Sequence, residues 1–154
     1  MKICKFMLMI ALVASVSKGF AQESQVLPPP VVLEAISDDD SVKLATFVTK
    51  DNVNECYGKY SILSHAVRIG SMKCFDFLIG KGADVNKVCD GYVPPLMHAA
   101  KYGRLEMAKK LIARGADAHY KYNGQQEDLI GETPLSYAQK FQKDDMVLYL
   151  KSLK

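Results

Sequence analysis

The sequence predicts an all-α fold, a solenoid of about four stacked helix pairs joined by outward turns or β-fingers. Three observations predict it. The phrase KGADVN at Lys81–Asn86 returns 33 residues later as RGADAH at Arg114–His119. Leu63, Leu96 and Leu135 open three similar phrases, LSHAVRIGSMKCFDFLIGKGADVN, LMHAAKYGRLEMAKKLIARGADAH and LSYAQKFQKDDMVLYLKSLK, spaced 33 and then 39 residues apart. Within each phrase apolar residues recur three and four apart, the helical period. Self-similarity at such a period marks stacked supersecondary units, none of which can bury its apolar face alone.

The first segment stands apart from that pattern. Lys2 and Lys5 precede an apolar run of eleven residues, Phe6–Val16, and Gly19-Phe20-Ala21 then places small residues at −3 and −1 before Gln22. That order of charge, short apolar run and small residues predicts a signal peptide over 1–21, cut after Ala21. The run is short of the roughly 20 apolar residues a bilayer span needs. Residues 22–30, ending Pro28-Pro29-Pro30, read as an extended leader.

The helical units follow as 31–54, 55–86, 87–119 and 120–154. In the first, Val32, Leu33, Ala35 and Ile36 make one helix, and Val42, Leu44, Ala45, Phe47 and Val48 the next. The second and third units open on Leu63, Ala66 and Val67, and on Leu96, Ala99 and Ala100. Gly70 and Gly103 stop these helices, since glycine accepts a left-handed C-cap without a Cβ clash. Second helices carry Met72, Phe75, Leu78 and Ile79, then Leu105, Ala108, Leu111 and Ile112, and end at Gly82 and Gly115. Pro95 and Pro134 suit a first helical turn. Terminal units need polar outer faces, and Asp38, Asp39 and Asp40 at one end and Lys143, Asp144, Asp145 and Lys151 at the other are suited to that role.

Taken together, Gly131-Glu132-Thr133-Pro134-Leu135, the helix pair and Gly82-Ala83-Asp84-Val85-Asn86 resemble the ankyrin repeat over about residues 31–154. The resemblance implies a non-catalytic protein-binding module that uses a concave face. It is incomplete: the histidine that normally follows the leucine and ties neighbouring turns is replaced by Ser64, Met97 and Ser136. Turn rigidity is what that replacement puts in question.

No catalytic, cofactor or metal constellation is apparent. His65 and His98 stack at about 8–10 Å, whereas zinc ligands must each lie about 2 Å from the ion. A semi-buried ladder continued by Tyr137 is the better account. Without the signal peptide's Lys2, Lys5 and Lys18, the 20 basic residues fall to 17, against 17 acidic. A neutral chain does not suggest a nucleic-acid binder. Cys56 and Cys89 hold equivalent turn positions. An oxidising compartment allows a bond, but equivalent positions in neighbouring units are expected roughly 10 Å apart, beyond the usual bridging reach of about 7 Å. Free thiols are favoured and a disulfide stays open. Cys74 reads as a buried small hydrophobe.

Carried over from the ankyrin resemblance by position, the partner-contacting residues are Arg68-Ile69, Lys101-Tyr102 and Lys140-Phe141 at the ends of the first helices. Tyr57, Tyr60, Tyr92 and Val93 join them from the turn tips. Each helix-end pair is a cation then a large apolar residue, so stacking makes a basic row beside an Ile/Tyr/Phe row that suits an acidic partner patch. The competing account is that these side chains only cover the helix beside them. The 39-residue spacing adds His119–Ile130 (HYKYNGQQEDLI), in which Asn123-Gly124 is a hairpin signal. Tyr120 and Tyr122 before it predict a protruding finger over 119–131.

The expected function is therefore an exported, periplasmic or secreted, monomeric binder of a protein partner, with no membrane association after signal cleavage. Its concrete versions are an immunity-type inhibitor of a periplasmic toxin, or a protective or chaperone-like partner of an exported enzyme. Intact-mass measurement of the exported chain should find Gln22 as its first residue; a chain retaining Phe6–Val16 would overturn the expected cut.

Overall fold

In a computed structural model, residues 27–153 form eight helices and one short hairpin. The expected signal peptide and most of the leader lie outside these described residues. Pro30 does not close a leader: it is the first helical residue of α1 (Pro30–Ser37), where its missing N–H costs nothing.

The helices come in pairs. After α1 come α2 (Ser41–Ala45), α3 (Ile62–Ile69), α4 (Met72–Gly80), α5 (Pro95–Tyr102), α6 (Leu105–Ala113), α7 (Pro134–Lys140) and α8 (Asp144–Ser152). Within a pair the two helices pack on one another, and α1, α3, α5 and α7 pack in succession as the first helices of neighbouring units. Ile36, Leu44, Leu63, Val67, Phe75, Leu78, Leu96, Ala99, Leu111 and Ala138 are buried in one continuous core.

Local chemistry sets each helix end. Ser61 Oγ accepts from Ser64 N at 3.1 Å to start α3, and Thr133 and Ser136 cap each other reciprocally to start α7. Each first helix then stops on a left-handed residue: Asp39 (φ 51°), Gly70 (93°), Gly103 (66°) and Gln142 (54°). Two of the three N-terminal aspartates have structural work beyond polarity. Asp40 accepts from Val42 N and Lys43 N to cap α2, and Asp39 accepts from Cys74 N of the next unit at 3.0 Å.

In the second, third and fourth units the residue after this stop reaches back to the preceding unit. Ser71 Oγ donates to Ile36 O, and Arg104 Nη2 donates to Ile69 O at 2.8 Å. Lys143 packs its stem over Gly103. The Ser71 and Arg104 bonds take up helix-end carbonyls that have no intrahelical partner.

The repeated Gly-Ala-Asp turn works the same way at the other end of the unit. Asn54 Oδ1 accepts from Asp84 N at 2.7 Å, and its amide reaches Gly82 O at 3.4 Å. One unit on, Asn86 Oδ1 accepts from Asp117 N at 2.9 Å and its amide donates to Gly115 O at 2.9 Å. Asp84 and Asp117 accept in turn from Asn86 N and His119 N, which holds each turn shut. Turn rigidity is thus supplied by asparagine ladders.

Two expectations are corrected. Cys56 and Cys89 are bonded, with Cα atoms 5.7 Å apart instead of roughly 10 Å. The hairpin of β1 (Cys56–Tyr57) and β2 (Tyr60–Ser61) pairs Cys56 with Ser61, and it brings Cys56 within bridging reach of the next unit's turn. The 119–131 segment is not a protruding finger. Tyr122 N donates to Glu132 O and Gly131 N to Tyr122 O, both at 2.8 Å, so the loop closes on itself. A 3-10 turn at Glu127–Leu129 drops Leu129 into the core. The Tyr122 ring is 1% exposed, and its hydroxyl donates to Gly91 O at 2.8 Å and accepts from Gln126 N at 3.0 Å.

Gly124 lies against that anchor: a Cβ there would overlap the Gly91 carbonyl oxygen and the Tyr122 hydroxyl. Gly124→Ala should therefore destabilise the chain by about 1–3 kcal/mol, an overpacking cost, read as a lower urea midpoint. An unchanged midpoint would mean the loop is loose. Removing the disulfide by Cys56→Ser with Cys89→Ser should cost about 3–4 kcal/mol on the chain-entropy account for a 33-residue loop, read in the same titration.

Candidate functional site

Stacking α3, α5 and α7 brings equivalent positions into rows. His65, His98 and Tyr137 form an inner row. Arg68, Lys101 and Lys140 form the next, and Ile69, Tyr102 and Phe141 the outermost. The β1–β2 hairpin adds Tyr60, and the turn before α5 adds Tyr92.

Tyr60 is the hub. Its ring meets His65 at 5.2 Å, His98 at 5.4 Å and Tyr92 at 5.5 Å between centroids, and Tyr92 meets His98 at 5.8 Å. The Arg68 guanidinium lies over the Tyr60 ring at 3.9 Å, a close cation–π contact. Lys101 lies 4.9 Å from the Phe141 ring and 5.6 Å from that of Tyr102. Lys59 approaches Tyr92 at 5.7 Å. The inner row is buried, not semi-buried: His98 is 3% exposed, and neither of its ring nitrogens has a hydrogen-bond partner in the protein. The same holds for Nε2 of His65.

Electrostatics follow from this geometry. Burial, then the Arg68 charge, lowers the His65 pKa to about 4. Burial, then Arg68, Lys101 and His65, lowers that of His98 to about 3. Both imidazoles are neutral near pH 7, with cations beside them and no carboxylate to make an acid–base pair. Burial also raises the phenol of Tyr92 and that of Tyr137.

Arg68 and Lys101 have no ion-pair partner among the described residues. The third cation of the row differs: Lys140 pairs with Glu132 at 3.2 Å while lying 6.0 Å from the Tyr137 ring. Ile69 and Tyr102 are exposed, whereas Phe141 is half-buried against Tyr137 at 5.3 Å. The face thus offers an uncountered positive patch on an aromatic floor. The cation stems do lie over rings, so part of the covering role weighed from the sequence is present too.

Three residues expected at the surface are not there. Tyr57 is buried and donates to Glu55 at 2.9 Å, and burial followed by that carboxylate raises its pKa to about 12. Val93 is 1% exposed and belongs to the core. Tyr122 is the buried anchor of the 119–131 loop, and Tyr120 is half-buried beside it. Arg104, which braces the end of α3 beneath Arg68, was not apparent from sequence. Its signal is positional: it follows a helix-ending glycine, as Ser71 does.

No group of three or more His, Cys, Asp or Glu side chains among the described residues is arranged to hold a metal. No described helix is long and apolar enough to cross a membrane. A family model described as "Ankyrin repeats (3 copies)" matches residues 32–122 and 63–154. Comparison with curated proteins gives no match.

The histidines predict an acid sensitivity. An unfolded histidine titrates near 6.5, so between there and the lowered folded values the unfolded chain binds more protons. Each histidine should then remove about 1.4 kcal/mol of stability per pH unit as pH falls from roughly 6.5 toward 4. Urea titrations at stepped pH check this. His98→Phe should reduce the slope, and an identical slope in that variant would contradict the assignment.

Proposed function

The chain belongs to the ankyrin-repeat family, and from that premise we propose that it is an exported binder whose concave face receives an acidic patch on a protein partner. Ankyrin repeats generally mediate protein–protein interaction and typically carry no catalysis. The fold alone does not say which partner is taken; that is a matter of the residues on the face.

One observation carries the reading. Arg68 and Lys101 lie at equivalent positions of adjacent first helices, braced on Tyr60, Tyr102 and Phe141, with no ion-pairing carboxylate among the described residues. Their Coulombic effect on His98 is unfavourable to a charged imidazole, which marks the positive field they make together. A partner carboxylate placed there gains two cations whose positions are already set by ring contacts. Exposed Ile69 and Tyr102 add apolar area beside them, and arginine and tyrosine are frequent among residues that dominate binding energy. The signal-like segment and the Cys56–Cys89 bond support export into an oxidising compartment. The immunity-type and enzyme-protecting roles are two versions of this same recognition.

The test is affinity capture from periplasmic extract with the chain lacking residues 1–21. Arg68→Glu combined with Lys101→Glu should reduce capture by about tenfold or more, while Lys73→Glu, at an exposed position of α4, should leave it unchanged. Matching melting curves would show that folding is intact. Equal capture by the double variant would sink the acidic-partner assignment.

A further inference from the structure

Taking the concave-face reading as its premise, we propose that Cys56–Cys89 is a site of thiol–disulfide exchange with a dithiol reductant, and that opening it releases the binding face.

The two sulfurs are unequally placed. Cys56 belongs to an exposed residue of β1, whereas Cys89 is 2% exposed. The open approach for an incoming thiolate is therefore from the Cys56 side. Both cysteines sit close to the aromatic floor. In the hairpin, Cys56 pairs with Ser61 while Tyr57 pairs with Tyr60, so Tyr60 is one ladder position from the bond. In the following turn, Tyr92 N donates to Cys89 O at 2.9 Å. The bond thus joins the two turns that carry Tyr60 and Tyr92, whose rings meet at 5.5 Å and together roof His98.

The next junction along the face is built differently. Seven residues before Leu135, where a third cysteine would fall, the chain has Asp128. There the Tyr122 hydroxyl bonds to Gly91 O instead. Among the described residues only the junction of the second and third units is covalent, and only it can be cut by reduction. Cys74, the remaining described cysteine, is buried, its thiol donates to Ala35 O, and burial with Asp39 beside it raises its pKa to about 11. It does not compete for exchange.

The chemistry balances with the dithiol as reductant. One of its thiolates attacks the Cys56 sulfur, forming a mixed disulfide and expelling Cys89 as thiolate, which takes up a proton. The reductant's second thiol then attacks its own sulfur in the mixed disulfide and releases Cys56 as a thiol. Two electrons and two protons pass to the protein, and the dithiol leaves oxidised.

The experiment uses dithiothreitol as the probe on the folded, oxidised chain. Iodoacetamide should then modify Cys56 and Cys89 under native conditions and Cys74 only in denaturant. Helical circular dichroism should persist, and the His65 and His98 ring resonances should titrate nearer to their ordinary range. Partner capture should fall by about tenfold and return on reoxidation. The Cys56→Ser, Cys89→Ser chain should behave as the reduced form with or without dithiothreitol, and Cys74→Ala as the parent. Equal capture by oxidised and reduced chains overturns the proposal, as does resistance of Cys56 to native alkylation. If the oxidised chain captures nothing, the concave-face reading falls, and unchanged histidine titration on reduction then overturns the clamp on its own evidence.

Discussion

Neighbouring units of this chain are joined by side chains that bond to one another's backbone, reaching back to helix ends and forward to turns. Arg104 takes up carbonyls at the end of α3, Ser71 does so for α1, and Asn54 and Asn86 each hold a Gly-Ala-Asp turn one unit on. The Ser71–Ile36 bond is buried, where a polar group left unpaired costs more than its bond contributes. The units are therefore interdependent in polar terms as well as through their shared core. A ladder of such junctions explains how a stack of short helices, most of them two turns long, forms one structure.

That same dependence builds the face. No single unit holds it. Tyr60 comes from the second unit and Tyr92 from the third, while Phe141, which underlies Lys101, comes from the fourth. The positive patch is positioned by rings of its own units and, at Phe141, by one of the next unit, and not by counter-ions. Cation–π contacts leave the charges available, where an ion pair would have consumed them, as Glu132 does for Lys140. The neutral histidines beneath are the cost of this arrangement: aromatic packing leaves them without hydrogen-bond partners in the protein.

Much of the fold was legible because it rests on local signals. The helix pairs follow from apolar spacing, and the stops from Gly70, Gly103, Gly82 and Gly115, all of which adopt positive φ. The sequence repeats Val53-Asn54 as Val85-Asn86, but the bonds of these asparagines depend on how units stack. The same limit applied to the cysteines. A single inter-unit distance taken from helix packing misjudged turns that come within bridging reach. Asn123-Gly124 misled for a different reason: local hairpin propensity was overridden by the burial of Tyr122 and Leu129, which the sequence alone does not rank above turn chemistry. On the face, Arg68, Lys101, Ile69 and Tyr102 were carried over by position from the ankyrin resemblance, as were Tyr57 and Val93, which are buried because turn residues can point inward.

The cross-unit disulfide also changes how the chain carries load. Fully extended, 33 residues span roughly 110 Å, yet Cys56 and Cys89 hold their Cα atoms 5.7 Å apart. Tension applied at the two ends runs through the covalent bridge and bypasses everything between, including α3, α4 and the first of the Gly-Ala-Asp turns. In the oxidised chain, pulling can strip units from either side, but that segment stays shielded from the force. Stretching would then stop short by about the length of one repeat, and the hidden length would appear only after reduction.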